Sequence, residues 1–472
     1  MVLQREKPIH IWGWSAPGEK VSVAFHGNSR DAVGNSLGYW SVFLPPEAAG
    51  GPYQLTVTSS NRIVLDDVLS GDVWFASGQS NMEMPLKGFA GAPLKDSTEE
   101  IARAGHPQIR LLHVPHKAAD FPLRETAASW TVCSPETAAN FSALAYFFGR
   151  ELAVREHAPI GLIDATWGGT VAEAWLSLQT ISADAALMPV FATRAHMMRT
   201  QDEITATLAM ERREDLAARQ AGQAPPKHPW HPDPASWAPA ALFNGMVAPL
   251  VAFPIKGVIW YQGESNSRLA FAPMYAKVFS ALIADWREQW HEGAFPFLFV
   301  QISNFTSDAT EEWAIIREAQ RRSLSVANTA MVVTADIGDP DNVHPSDKQT
   351  VAARLALAAR ALAYGENVEY SGPLFRQATP EGDAIRVWFD HTANGLAARG
   401  GALQGFEIAG DDGRFVIATA RIDGKTVVVG NPQVAEPKYV RYGWANAPVV
   451  NLYDSDGLPA SPFTSQDAVP AR

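Results

Sequence analysis

The sequence predicts an α/β protein: a three-layer domain with a mostly parallel sheet, flanked by an N-terminal and a C-terminal β domain. Three observations predict it. Between about 68 and 365, short apolar runs alternate with segments of helical apolar periodicity. Before that region, short strands follow one another with turn residues between them. After about 366 the helical periodicity stops and strand-like runs return. The 472 residues fit the expectation of about three domains at ~150 residues each.

Residues 1–67 read as a small β-sandwich-like unit. The runs Ile9–Trp12, Val21–Phe25, Tyr39–Leu44 and Tyr53–Val57 alternate or are β-branched. Turn chemistry separates them at Ala16-Pro17-Gly18, Gly27-Asn28, Gly34-Asn35 and Gly50-Gly51-Pro52. In 68–365, strands are expected at Val73–Ala76, Ile109–Val114, Ile160–Asp164, Lys256–Tyr261, Phe297–Gln301 and Ala330–Thr334. Helices are expected at Phe141–Glu156, Ala272–Gln289, Glu311–Leu324 and Asp347–Tyr364. This alternation implies helices on both faces of the sheet. Residues 179–240 break the rhythm with a helical stretch, Ile204–Gln220, and a Pro-dense loop, Ala224–Pro234. That segment reads either as an insertion over the ligand-binding edge or as a solvated excursion. In 366–472 the strands are Ala384–Phe389, Phe406–Ala409, Phe415–Ala420 and Thr426–Gly430.

The chemistry is carried by segments that each follow a strand of the alternating region, so they meet at one sheet edge, where open α/β sheets bind ligands. Ser77-Gly78-Gln79-Ser80-Asn81-Met82 follows Val73–Ala76, and Asp341-Asn342-Val343-His344 offers a base with a carboxylate three residues before it. A serine is a weak nucleophile until a base takes its proton, and the base needs an orienting group. Ser80, His344 and Asp341 supply the three roles of a serine esterase. Acyl transfer also needs oxyanion donors. Ser80 N–H is one, and Gly168 or Gly169 in Ala165–Thr170 supplies a close-approaching amide. A side-chain amide of Trp260–Asn266 is the third, with Gln262 and Asn266 as alternatives. Asn81 beside the nucleophile and Glu264 on that loop complete the candidate substrate-binding set.

These blocks resemble the SGNH hydrolase superfamily and, within it, the sialate O-acetylesterase family of carbohydrate esterases. Val2–Arg5, Gly50–Tyr53, Asn244–Met246 and Tyr442–Trp444 resemble further landmarks of that family, so the resemblance extends over essentially the whole chain. It implies Ser80 as nucleophile, Gly169 and less securely Gly168 as oxyanion donors, and Asp341 and His344 as the Asp-x-x-His block. The usual oxyanion Asn is not matched in simple register, which leaves Gln262 and Asn266 in competition. The implied reaction is two-step hydrolysis of acetyl esters on sugar hydroxyls through an acetyl-Ser80 intermediate. It requires no metal and no organic cofactor. Family members carry residues before Val2–Arg5, an export signal included; Met1 is therefore expected to be internal to an exported precursor.

The formal net charge of -12 and the absence of a basic run argue against a nucleic-acid partner. No stretch reaches the ~20 apolar residues of a membrane span. Cys133 is the single cysteine, which excludes intrachain disulfides and zinc clusters of cysteine. The 15 tryptophans suit stacking on pyranose faces. Sialate would call for an exposed Arg or Lys on its carboxylate, and Arg268, Arg194 and Arg199 lie in loops or the insertion without assignment. With no evident cationic cluster, the expected substrate leans to acetylated plant polysaccharide, xylan or xyloglucan, ahead of O-acetylated sialic acid. The reading from another class is a noncatalytic carbohydrate-binding protein, which would not need Ser80, Asp341 and His344 together.

Overall fold

A computed structural model describes residues 1–192, 201–226, 228, 231–268 and 271–467. Its backbone is an 11-stranded sheet. The main path comprises β13 (Thr329–Val332), β12 (Phe297–Val300), β11 (Gly257–Tyr261), β7 (Arg62–Gly78), β10 (Ile160–Thr166), β8 (His106–His113) and β9 (Trp130–Cys133) in that spatial order. The pairs from β13 to β8 are parallel, and the edge strand β9 joins β8 antiparallel. β1 (Val2–Gln4) pairs with β7 in parallel, whereas β3 (Lys20–Phe25), β4 (Asn28–Val33) and β6 (Gly50–Thr58) join antiparallel. The whole 11-stranded sheet is therefore mixed, its path from β13 to β8 being parallel and its strands β3, β4, β6 and β9 antiparallel. The physical reason is β7, whose 17 residues have no Gly or Pro break until Gly71. Its first half pairs with β6 and its second half with β10 and β11. Position 67, the expected domain edge, lies inside this strand.

The inner strands are buried along their whole length, as a sheet covered on both faces requires. Helices Ala143–Glu156, Tyr275–Trp290, Trp313–Arg322 and Lys348–Tyr364 cover it. Asp347 caps the last of these, accepting the Thr350 N–H at 3.0 Å. In the N-terminal unit Val21, Val23 and Phe25 alternate inward along β3 and pack with Trp40, Val42 and Leu44 of the strand β5 (Tyr39–Leu44). The C-terminal unit buries Ile385, Val387 and Phe389 of one sheet against Phe406, Ile408 and Phe463 of another. Arg317 ties this unit on: fully buried, it donates to the carbonyls of Ile302, Ser303, Ala445 and Asn446. Burial pushes its pKa down to about 9, but four carbonyl acceptors satisfy the guanidinium. Among the described residues, no helix is long and apolar enough to cross a membrane.

Within 179–240, the helix Gln201–Gln220 carries mostly exposed side chains, while Trp237 is buried and reaches the cavity described next. The Pro-dense loop and Arg194 and Arg199 lie partly or wholly outside the described residues.

Candidate active site

β7 delivers the first segment to the sheet's carboxyl edge. Gly78 ends the strand at φ +136°, and a Cβ there would collide with the Tyr261 carbonyl, so the turn needs glycine. Gln79 N–H then donates to that carbonyl at 3.0 Å, and Ser80 opens the one-turn helix Ser80–Glu83. From the neighbouring strand β10, Trp167 N–H donates to Gly78 O at 3.1 Å and lays the Trp167–Thr170 loop against Ser80. Room is scarce: a Cβ on Gly168 would sit 3.3 Å from Ser80 Cβ. The N–H groups of Ser80 and Gly169 have no protein acceptor among the described residues.

Ser80 and His344 line one cavity of about 560 Å³, a volume that suits a small ligand. The His344 ring packs edge-on to Phe89, with centroids 5.2 Å apart. Burial, and then the charge of Lys348, hold its pKa down to about 4. The imidazole is therefore neutral at pH 7, the form a general base requires.

Asp341 is not brought to His344. Its side chain is exposed, and no hydrogen bond or ion pair joins the two. The loop explains this placement. Asp339 Oδ1 accepts the Asp341 N–H at 2.9 Å, and Asp339 O accepts the Asn342 N–H at 3.2 Å. Asn342 Oδ1 in turn accepts the His344 N–H at 2.9 Å. These short-range turns satisfy the backbone with Asp341 on the solvent side.

Neither competing side-chain amide faces the cavity. Gln262 Nε2 donates to Thr170 O at 3.1 Å and to Asn266 Oδ1 at 2.7 Å, and its Oε1 accepts from Tyr275 OH at 3.0 Å. Asn266 Oδ1 also accepts the Ala172 N–H, and its Nδ2 donates to Glu173. Both amides are spent bracing the loops from below. Gly168 N–H is taken as well, donating to Glu83 Oε2 at 2.6 Å. Of the expected donors, the Ser80 and Gly169 N–H groups are thus the ones without a protein acceptor among the described residues.

Asn81 and Glu264 form a buried tie instead. Asn81 Nδ2 donates to Glu264 Oε1 at 2.6 Å and to Val343 O at 2.9 Å, while Asn81 Oδ1 accepts from Lys348 Nζ at 2.6 Å. One side chain thereby fixes the Ser80 turn to the loop after β11 and to the His344 loop. Burial pushes the Glu264 pKa up, and pushes that of Lys348 down to about 7 against the pull of Glu264.

Sequence reasoning passed over Gln79, whose Oε1 accepts the N–H groups of Gly263 and Ser265 at 3.3 and 3.2 Å. Its place between Gly78 and Ser80 was the available signal. It also passed over Glu83, one helical turn after Ser80, and His116, which carries no local signal. Both line the cavity.

A protein-family model described as "Carbohydrate esterase, sialic acid-specific acetylesterase" matches residues 230–363. The chain is 33% identical to the sialate O-acetylesterase of Homo sapiens over 415 residues, covering 79% of this chain and 71% of that protein. It is 32% identical to the sialate O-acetylesterase of Rattus norvegicus over 416 residues, covering 79% and 74%. A crystal structure of a carbohydrate acetylesterase from Xanthomonas citri superposes with a TM-score of 0.85 at 37% identity, covering 99% of this chain and 97% of that one.

Proposed function

This chain belongs to the sialate O-acetylesterase family of carbohydrate esterases, and from that premise we propose that it removes acetyl groups from O-acetylated sialic acid with Ser80 as nucleophile and His344 as base. It is an esterase acting on acetylated carbohydrate. In the proposed mechanism His344, neutral at pH 7, takes the Ser80 proton as Oγ attacks the acetyl carbonyl. The N–H groups of Ser80 and Gly169 receive the oxyanion. Protonated His344 then protonates the departing sugar hydroxyl, and water activated by the same ring hydrolyses the acetyl-enzyme.

The observation that supports sialate is Arg268. It is exposed in the same cavity as Ser80 and His344, and its charge adds to the Thr310 hydrogen bonds that hold the Asp308 carboxyl down. A guanidinium is suited to a sugar carboxylate because its planar donors bind both oxygens together. The lean to neutral plant polysaccharide rested on the lack of an evident cationic cluster, with Arg268 among the arginines left unassigned, and its place in this cavity weighs against that lean. The relatives also bear the name of the sialate activity.

The test is acetate release from O-acetylated sialic acid, acetylated xylan and acetylated xyloglucan. Ser80→Ala should abolish release. A hydrogen bond to a charged group is worth about 1.5–3 kcal/mol, so Arg268→Gln should lower kcat/KM on sialate by about 10- to 100-fold. A neutral acetyl ester should be spared. Wild-type release from xylan or xyloglucan with none from sialate would overturn the substrate.

A further inference from the structure

We infer that Glu83 and His116 act as a positioning pair: Glu83 clamps the Trp167–Gly169 loop beside Ser80, and His116 holds the Glu83 charge off the developing oxyanion. The inference rests on Ser80 being the nucleophile.

Glu83 lies one helical turn beyond Ser80, and its Oε2 accepts the Gly168 N–H at 2.6 Å. Its Oε1 lies 2.8 Å from His116 Nε2. The His116 ring lies flat on the Trp167 indole, with centroids 4.3 Å apart and planes 4° from parallel. The contacts form a closed circuit: Ser80 helix, Glu83, His116, Trp167, Gly168 and back to Glu83. Its consequence is geometric. With Gly168 N–H committed to the carboxylate, Gly169 is the glycine of this loop whose N–H has no protein acceptor among the described residues.

The circuit also has an electrostatic cost. A carboxylate beside Ser80 opposes the negative charge that forms on the attacked carbonyl, and fields of this kind act strongly in a partly desolvated cleft. His116 Nε2, 2.8 Å from Glu83 Oε1, is the group placed to offset that charge. No Lys or Arg among the described residues lies within ion-pair distance of Glu83, and His113, bound to Asp164, also feels the Glu83 charge. The other titratable groups lining the cavity are Glu264, Arg268, Glu311 and His344.

This predicts an interaction between two substitutions, read with 4-nitrophenyl acetate so that the sugar site plays no part. His116→Ala leaves the carboxylate uncompensated, and kcat should fall by about tenfold or more with KM little changed. Glu83→Gln keeps an oxygen that accepts the Gly168 N–H but removes the charge, and should stay within about threefold of wild type. The double variant Glu83→Gln/His116→Ala should recover to the level of Glu83→Gln alone. His116→Gln, which retains a donor, should keep most of the activity and covers the case in which His116→Ala fails to fold. A merely structural role would leave the double variant as slow as His116→Ala, and that result overturns the inference. So would full activity in His116→Ala. Ser80→Ala run alongside separates the two failures: turnover surviving there removes the nucleophile assignment itself.

Discussion

His344 is buried against Phe89 and faces the charge of Lys348, and both effects disfavour its protonated form. As pH falls, the base is lost only as the solution passes through its folded pKa of about 4. The expected kcat/KM profile is therefore flat from neutrality to about pH 5, and loses about tenfold per unit well below 4. Lys348→Met removes the smaller of the two causes and should carry this acid limb only part of the way up toward the ordinary histidine value of about 6.5. An acid limb at that ordinary value in the wild type would refute the burial argument. Asp341 gives a second residue-scale expectation. Because it touches solvent and not His344, Asp341→Asn should hold kcat within about threefold, against the loss of about 10³ or more expected for Ser80→Ala. A loss in Asp341→Asn as deep as in His344→Ala would mean that the 339–344 loop turns inward when substrate binds. The Asp-x-x-His spacing was visible in the sequence; the Asx turn at Asp339 that faces Asp341 outward was not, because Asp suits both roles.

Three elements meet at Asn81: the turn after β7, the loop after β11 carrying Glu264, and the His344 loop leading into the helix Lys348–Tyr364. The relative placement of Ser80 and His344 thus depends on a buried amide that is not among the residues lining their cavity. Asn81→Leu leaves Glu264 and Lys348 buried without their shared partner. Breaking such a network costs about 3–5 kcal/mol, which urea unfolding would read as a lower midpoint at unchanged slope. A shift under about 1 kcal/mol would show that water or side-chain movement replaces the tie. The strands and helices around this point were legible from alternation and periodicity, as Thr426–Gly430 and Phe406–Ala409 show, each found at its expected bounds. The amide roles of Gln262, Asn266 and Asn81 were not legible. A side-chain amide looks the same in sequence whether it faces substrate or braces a loop.

Across the whole molecule, β7 makes the N-terminal β unit continuous with the catalytic sheet. β1 pairs with Leu69–Gly71 of β7, and Arg5 closes on the buried Asp72 at 2.8–2.9 Å. A chain of residues 68–472 would lose these partners, leaving Asp72 buried beside Tyr364 without its cation and exposing a sheet edge. It is expected to be insoluble or to lack a cooperative thermal transition by circular dichroism. A soluble fragment with a sharp transition would show that the two parts fold independently. The C-terminal unit is bound through Arg317 and through the hydrogen bond from Gln301 to Ser461, so its removal should likewise disturb the helix Trp313–Arg322.

Local pattern alone determined the order of elements, the α/β class and the four segments that reach one edge of the sheet. Those properties follow from backbone periodicity and turn chemistry, which act over a few residues. The tertiary structure decided which oxygens and nitrogens of those segments face the cavity. It turned Asp341 to solvent, consumed Gln262 and Asn266 beneath the loops, and brought Glu83, His116 and Arg268 beside Ser80. Such choices depend on contacts between residues far apart in the chain, such as Glu83 with Gly168 and Asn81 with Lys348. Each contact forms only once packing has set the distance, and sequence spacing carries no record of it.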